Sequence, residues 1–143
     1  MKAILFGLVV LSAATPALAE SWHPFSRSQN NAFMADVDSI VVNGEVTAIH
    51  VATAPRAGES GDYSHSVETY EFKCAASQWR TAGVVEYGPD GAEMERYPEE
   101  GAAWEATRPG TMPEYLKTIA CDGARAQPPT WPTIKAFIDA GRP

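Results

Sequence analysis

Two cysteines, Cys74 and Cys121, stand 47 positions apart in a chain of 143 residues that contains no others. What they do depends on the compartment, and the first residues speak to that. Lys2 is followed by an apolar run from Ala3 to Leu11, then Ser12 to Pro16, then Ala17-Leu18-Ala19 before Glu20. A basic residue, a short hydrophobic run and an A-x-A site in that order describe an export leader. The run is far shorter than the roughly 20 apolar residues of a membrane span, and Pro16 interrupts it. A leader over residues 1–19, cut between Ala19 and Glu20, is therefore expected, and with it an oxidising compartment. The residue directly after that point is Glu20 and not the cysteine that would take a bacterial lipid anchor. Two cysteines allow one intramolecular pairing, and closing the 47-residue loop would stabilise the fold by about 4 kcal/mol in the chain-entropy model. A metal pair or a reactive thiol would need partners, and neither cysteine has a His or a second Cys at ligand spacing. A structural Cys74–Cys121 disulfide is the expectation.

Removing the leader leaves 124 residues, the length of one domain. With 45% hydrophobic, 10% aromatic and 20% charged residues the chain has the material for a core, which excludes wholesale disorder. Loss of Lys2 takes the net charge from −7 to −8, which argues against nucleic acid as a partner. No second apolar stretch approaches spanning length, so no transmembrane segment is expected in the mature chain.

The remainder reads as strands followed by helices. Ser21 to Phe25, with two aromatics around Pro24, suits an edge strand, and Phe33, Ala35 and Val37 alternate as a second. Ile40 to Val42 and Glu45 to Val51 flank Asn43-Gly44, the dipeptide that best tolerates positive φ at both turn positions, which predicts a tight hairpin. A loop over Ala54 to Asp62 precedes a strand from Tyr63 to Cys74, with Tyr70, Phe72 and Cys74 on one face and Tyr63, His65, Val67 and Thr69 on the other. Trp79 to Tyr87 and Ala92 to Tyr97 flank the turn Gly88-Pro89-Asp90-Gly91. Thr111 and Glu114 form a capping-box pattern before a helical stripe of Met112, Leu116, Ile119 and Ala120 that stops at Gly123. After a connector, Trp131, Ile134, Phe137 and Ile138 make a second apolar helical stripe ending near Gly141. The expected fold class is α+β: an antiparallel meander of about six strands, a helix tethered by one disulfide, and an extra C-terminal helix. The expected organisation is a leader at 1–19, one domain at 20–123, and a connector with helix at 124–143.

Chemistry is sparsely marked. The histidines are His23, His50 and His65, and a hairpin-like pairing would put His50 and His65 within about one pairing step, able to share a metal or haem only if register places them on one face. A metal site would still need a third ligand. No G-x-S-x-G, S-x-x-K or Gly-rich phosphate loop occurs, so no catalytic residue, resident metal or cofactor is expected, and an enzyme would need a site assembled in space around His65. Residues 86–105 hold Glu86, Asp90, Glu93, Glu95, Glu99, Glu100 and Glu105 against Arg96 alone. Such a run either recruits a basic partner or cations, or is a solvated edge whose charges discourage pairing, the commoner use.

Several short elements in order carry a likeness: Trp22 after the leader, Asp38-Ser39-Ile40, the Asn43-Gly44 turn into Val46 to Val51, Tyr70-Glu71-Phe72-Lys73-Cys74, Trp104 with Pro109, and the helix closing at Cys121. Together they resemble the surface-adhesin protein E family over about residues 22–121. The resemblance implies a curved antiparallel sheet with a disulfide-tied C-terminal helix. It also implies a non-enzymatic binding domain of the cell envelope, the named members being adhesins for host extracellular-matrix proteins. The chain departs from the family in lacking an anchor cysteine, in the acidic 86–105 segment, and in the stretch from Asp122 to Pro143. The expected function is an exported, adhesin-like domain, periplasmic or at the bacterial surface, that recognises another protein. The alternative is a periplasmic carrier of a small ligand such as haem, with His50 or His65 as ligand.

Overall fold

The computed structural model describes residues 19–143, so the proposed leader, apart from Ala19, lies outside the described residues. Strands β1 (Trp22–Arg27), β2 (Asn31–Asn43), β3 (Val46–Pro55), β4 (His65–Lys73), β5 (Gln78–Tyr87) and β6 (Glu93–Pro98) follow one another across one antiparallel sheet. This is the expected six-strand meander. A two-residue strand, β7 (Glu105–Ala106), pairs with the start of β5, an addition that no alternation in the sequence announces. Helix α1 (Met112–Asp122) and the short helix α2 (Ile134–Asp139) complete the chain.

Local chemistry explains the joints. Asn43 pairs with Val46, so the β2–β3 turn is centred on Gly44-Glu45, one residue later than the sequence reading, and Asn43 is the last ladder residue. Gly44 has φ 62 while Glu45 has no positive φ, which is the requirement of a type II′ turn and is met by Gly alone at its first central position. Thr111 precedes α1 as its N-cap, but its hydroxyl donates to the Arg108 carbonyl and makes no capping bond. The Glu114 carboxylate accepts instead from the Gly110 N–H at 2.6 Å, so the expected capping box is only half realised, shifted by one residue. Gly123 ends α1 in the left-handed region, as its position suggested.

The sheet is buried on both faces at its centre. On one face Ala35, Ile49, Val51, Tyr70 and Phe72 pack with Leu116 and Ile119 of α1. On the other, Ala32, Met34, Ala52 and Ala54 pack with Trp22 and with Ile134, Phe137 and Ile138 of α2. Strand geometry sends alternate residues to opposite faces, so each of β2 and β3 feeds both cores. The alternation of Phe33, Ala35 and Val37 captured only half of this, since the intervening Ala32, Met34 and Asp36 are the more deeply buried set on that strand. Trp131, expected on the last helical stripe, precedes α2 and forms a backbone bridge with Trp22, with N···O distances of 2.8 and 2.9 Å.

Cys74, just past β4, is joined to Cys121 in the last turn of α1 with Cα atoms 5.8 Å apart. The bond lies with Tyr70 and Phe72, on the aromatic face expected for it, and fastens α1 to the sheet. Cys74→Ser is expected to cost about 2–5 kcal/mol, the usual range for losing a native disulfide from a small domain. Thermal melts with and without reductant check this: the variant should melt early in both, and the parent only when reduced. Phe137, fully buried, is the centre of the opposite core. Phe137→Ala is expected to cost about 3–5 kcal/mol in urea unfolding with the disulfide intact.

Candidate functional site

The β1–β2 end of the sheet is shaped by a local irregularity. Asp36 pairs with His50 and Val41 with Ala48, so β2 bulges between them. The Asp36 carboxylate is buried and its Oδ1 accepts N–H bonds from Ser21 at 2.9 Å and Asp38 at 3.1 Å. Ser39 closes the bulge: its hydroxyl donates to the Asp36 carbonyl at 2.7 Å and accepts from the His50 N–H at 2.9 Å. No sequence pattern announced this arrangement, because it depends on which residues of β3 face the bulge.

Beside Asp36 opens a cavity of about 280 Å³ that also reaches Glu20, His50, His65, Tyr87 and Lys135. Its walls come from β1 to β5, the β5–β6 turn and the start of α2. His50 pairs with Thr69, four residues along β4 from His65. Directly paired residues share a face, so both histidines lie on the same side of the sheet, yet two pleat repeats apart rather than the one pairing step expected. Four residues at about 3.4 Å each put them too far apart along the strand for one ion. Among the described residues no group of three His, Cys, Asp or Glu side chains is placed to hold a metal. A cavity of this volume is also small for haem, lying just under the roughly 300 Å³ at which sites for drug-sized ligands begin.

His65 is held firmly. Its ring stacks on Tyr87 with centroids 4.4 Å apart and planes 3° from parallel. Its Nδ1 lies 2.7 Å from the Tyr63 carbonyl, and a carbonyl can only accept, so Nδ1 carries the proton and Nε2 of the neutral ring is an acceptor. Burial pushes the imidazole below its ordinary value, outweighing the Tyr63 carbonyl and the Glu20 and Glu86 carboxylates that pull it up. His23 lies elsewhere: its Nδ1 accepts from the Ala126 N–H at 3.2 Å, which ties the first strand to the connector after α1. Across the cavity, Lys135 donates to Asp139 at 2.6 Å, and its ammonium stands 4.4 Å from the centre of the Tyr63 ring. The Tyr63 hydroxyl completes the triangle by donating to Asp139 at 2.8 Å.

The acidic segment forms the other distinctive surface. Every residue of β6 is exposed, Met94 and Tyr97 among them, and the strand's outer edge has no partner among the described residues. Arg96 is spent on Glu93 through two bonds of 2.9 and 3.0 Å, while the Tyr97 hydroxyl donates to Glu95. Gly83 of β5, with φ 124, sits under the end of this strand, where a Cβ would come within 2.8 Å of the Tyr97 carbonyl. Ala19 and Glu20, flanking the proposed cleavage point, are exposed outside the sheet.

A meander with a disulfide-tied helix on one face, an acidic edge and a small cavity describes a domain of the α+β class. The family model for surface-adhesin protein E matches residues 22–122, and the chain belongs to that family. No curated protein and no solved structure matches the chain. The match spans the sheet and α1, and it ends before α2.

His65 supplies a pH test of this geometry. A histidine whose folded-state pKa lies below 6.5 stabilises the fold fully above that pH, and the contribution is lost as pH falls through the folded-state value. Urea unfolding between pH 7.5 and pH 5 should therefore show stability falling with acid, with a shallower fall for His65→Gln. His23 is lowered in the same sense, so the slope should not vanish. A ring resonance of His65 titrating at or above 6.5 would contradict the burial described.

Proposed function

We propose that this chain is an exported, non-enzymatic, adhesin-like domain that recognises a protein partner at the cell envelope or outside the cell. Membership of the surface-adhesin protein E family carries the reading, because the matched residues include every strand and the helix fastened by the disulfide. Three features agree with it. A disulfide persists in oxidising compartments, the leader motif at residues 1–19 directs a chain there, and no helix among the described residues is long and apolar enough to cross a membrane. Within this reading, residues 20–123 are the family domain and 124–143 a connector and helix added to it. Fold alone does not select a ligand, so the partner must be sought by binding.

Protease shaving of intact cells, against cells whose outer membrane has been opened, separates the two locations. Digestion on intact cells is expected for a surface adhesin; protection until opening would place the protein in the periplasm and turn the search to envelope proteins. Purified extracellular-matrix and envelope proteins passed over the immobilised chain should then give saturable binding that disappears when the disulfide is reduced. Failure of every such protein to bind at several salt concentrations would sink the proposal.

A further inference from the structure

A second cavity, of about 300 Å³, opens where the loop after β3 meets the end of α2, and it shares no lining residue with the one beside Asp36. Arg56 and Arg142 both line it, and neither is in an ion pair among the described residues. Backbone carbonyls hold the two side chains instead. Arg142 donates from Nη1 to Gly58 at 3.3 Å and from Nη2 to Asp62 at 2.7 Å, while Nη1 of Arg56 donates to Ser28 at 3.2 Å and to Gln29 at 3.4 Å. Neutral acceptors fix a guanidinium in place but leave its charge uncompensated and several of its five N–H donors free. The loop is shaped closely around one of them: a Cβ on Gly58 would come within 2.9 Å of Nη2 of Arg142. Nε of Arg142 is buried with no acceptor, so the two carbonyls do not satisfy that group. The loop brings donors of its own, since none of the N–H groups from Ala57 to Gly61 has an acceptor among the described residues, and the Ser60 hydroxyl has no partner there either. The nearby acids already have donors. Asp139, the one carboxylate in the lining, accepts from Lys135 and Tyr63, and Asp62 accepts from the Ser64 N–H and hydroxyl at 3.0 and 2.6 Å. Glu59 is exposed and outside the lining.

We propose that this cavity is a binding site for a tetrahedral oxyanion, a sulfate or phosphate group, held between Arg56 and Arg142 with the loop amides and the Ser60 hydroxyl as further donors. Positive charge and free donors meet there, and such an anion supplies the charge and the acceptors that both lack. Guanidinium forks match its oxygens in pairs, which a point charge would not. The volume of about 300 Å³ is at the lower end for small ligands and takes the group with part of the residue that carries it. Ile138, Gly141 and Arg142 lie beyond residue 122, so the site belongs to this chain's C-terminal segment as much as to the family fold. A free anion and a sulfate group carried on a sugar share this chemistry. Only the second source rests on the adhesin reading.

The folded protein, isotopically labelled, would be titrated with sodium sulfate and sodium phosphate, and with sodium chloride at matched ionic strength, while backbone amide and arginine side-chain resonances are followed. Saturable shifts at Gly58, Ser60, Gly61 and the Arg56 Nε–H are expected for the two oxyanions and not for chloride. Arg56→Gln, at an exposed residue outside both cores, should keep the fold and weaken binding about tenfold or more. Arg142→Lys keeps the charge but loses the fork, and should weaken binding severalfold. Because Arg142 also clamps the loop, Ser60→Ala, which leaves that clamp intact, tests the loop side independently and should weaken binding as well. A second arm compares a sulfated N-acetylglucosamine with its unsulfated parent and with inorganic sulfate. Tighter binding of the sulfated sugar than of inorganic sulfate assigns the site to a glycan-borne group, and the reverse assigns it to a free anion. No saturable shift from either oxyanion, shifts matched by chloride, or an affinity unchanged in Arg56→Gln would overturn the site and leave the family-based function untouched.

Discussion

Burial of β2 and β3 on both faces is the constraint on which the structure depends. A sheet covered on one side needs alternating apolar and polar residues, whereas here adjacent residues such as Val51 and Ala52 are buried against different helices. On the α2 side the strands contribute alanines, Ala32, Ala52 and Ala54, around Met34, which gives the short helix room to lie close. The α1 side uses larger residues, Ile49, Val51, Tyr70 and Phe72, under a helix of 11 residues. The two helices are secured differently. The disulfide fixes α1 covalently, while α2 is held by Phe137 and its neighbours, by the Trp22–Trp131 bridge, and by Arg142, which donates to the Asp62 carbonyl at 2.7 Å.

What could be read from the residues were the features with local causes. The Cys74–Cys121 bond followed from count and compartment, the β2–β3 hairpin from the Asn-Gly dipeptide between β-rich runs, and α1 from its stripe and Gly123. Where two local signals compete, the reading slipped by a residue: Gly44 takes the first turn position and leaves Asn43 in the ladder. What stayed hidden depended on register or on which surface an element lands. The apolar stripe of Ile134, Phe137 and Ile138 announces a helix, but nothing in it says that the helix covers the face opposite α1. The spacing of His50 and His65 is likewise set by the length of the β3–β4 loop and the pairing of His50 with Thr69, which sequence proximity cannot supply. Asp36 was the least visible, since a lone aspartate in a strand acquires its role only from the bulge that Ser39 closes.

The same two-sided architecture relates the family fold to this chain's own features. The matched residues supply the meander, α1 and the disulfide, a scaffold stable enough to present an exposed acidic edge. Among the described residues that edge has no strand partner and carries the carboxylates of Glu93 and Glu95, an arrangement that resists uncontrolled strand pairing. The segment after residue 122 then covers the second face and, in doing so, walls off the cavity at Asp36. Core and cavity thus share one cause, the docking of α2 on β1, β2 and β3.

Nuclear Overhauser contacts in the folded protein test that docking most directly. Contacts from the Phe137 ring and the Ile134 and Ile138 methyl groups to Trp22, Met34 and Ala54 are expected, because these residues form one buried group. Their absence, with averaged shifts and fast hydrogen exchange from Trp131 to Arg142 while the α1 side remains ordered, would contradict a sheet buried on both faces.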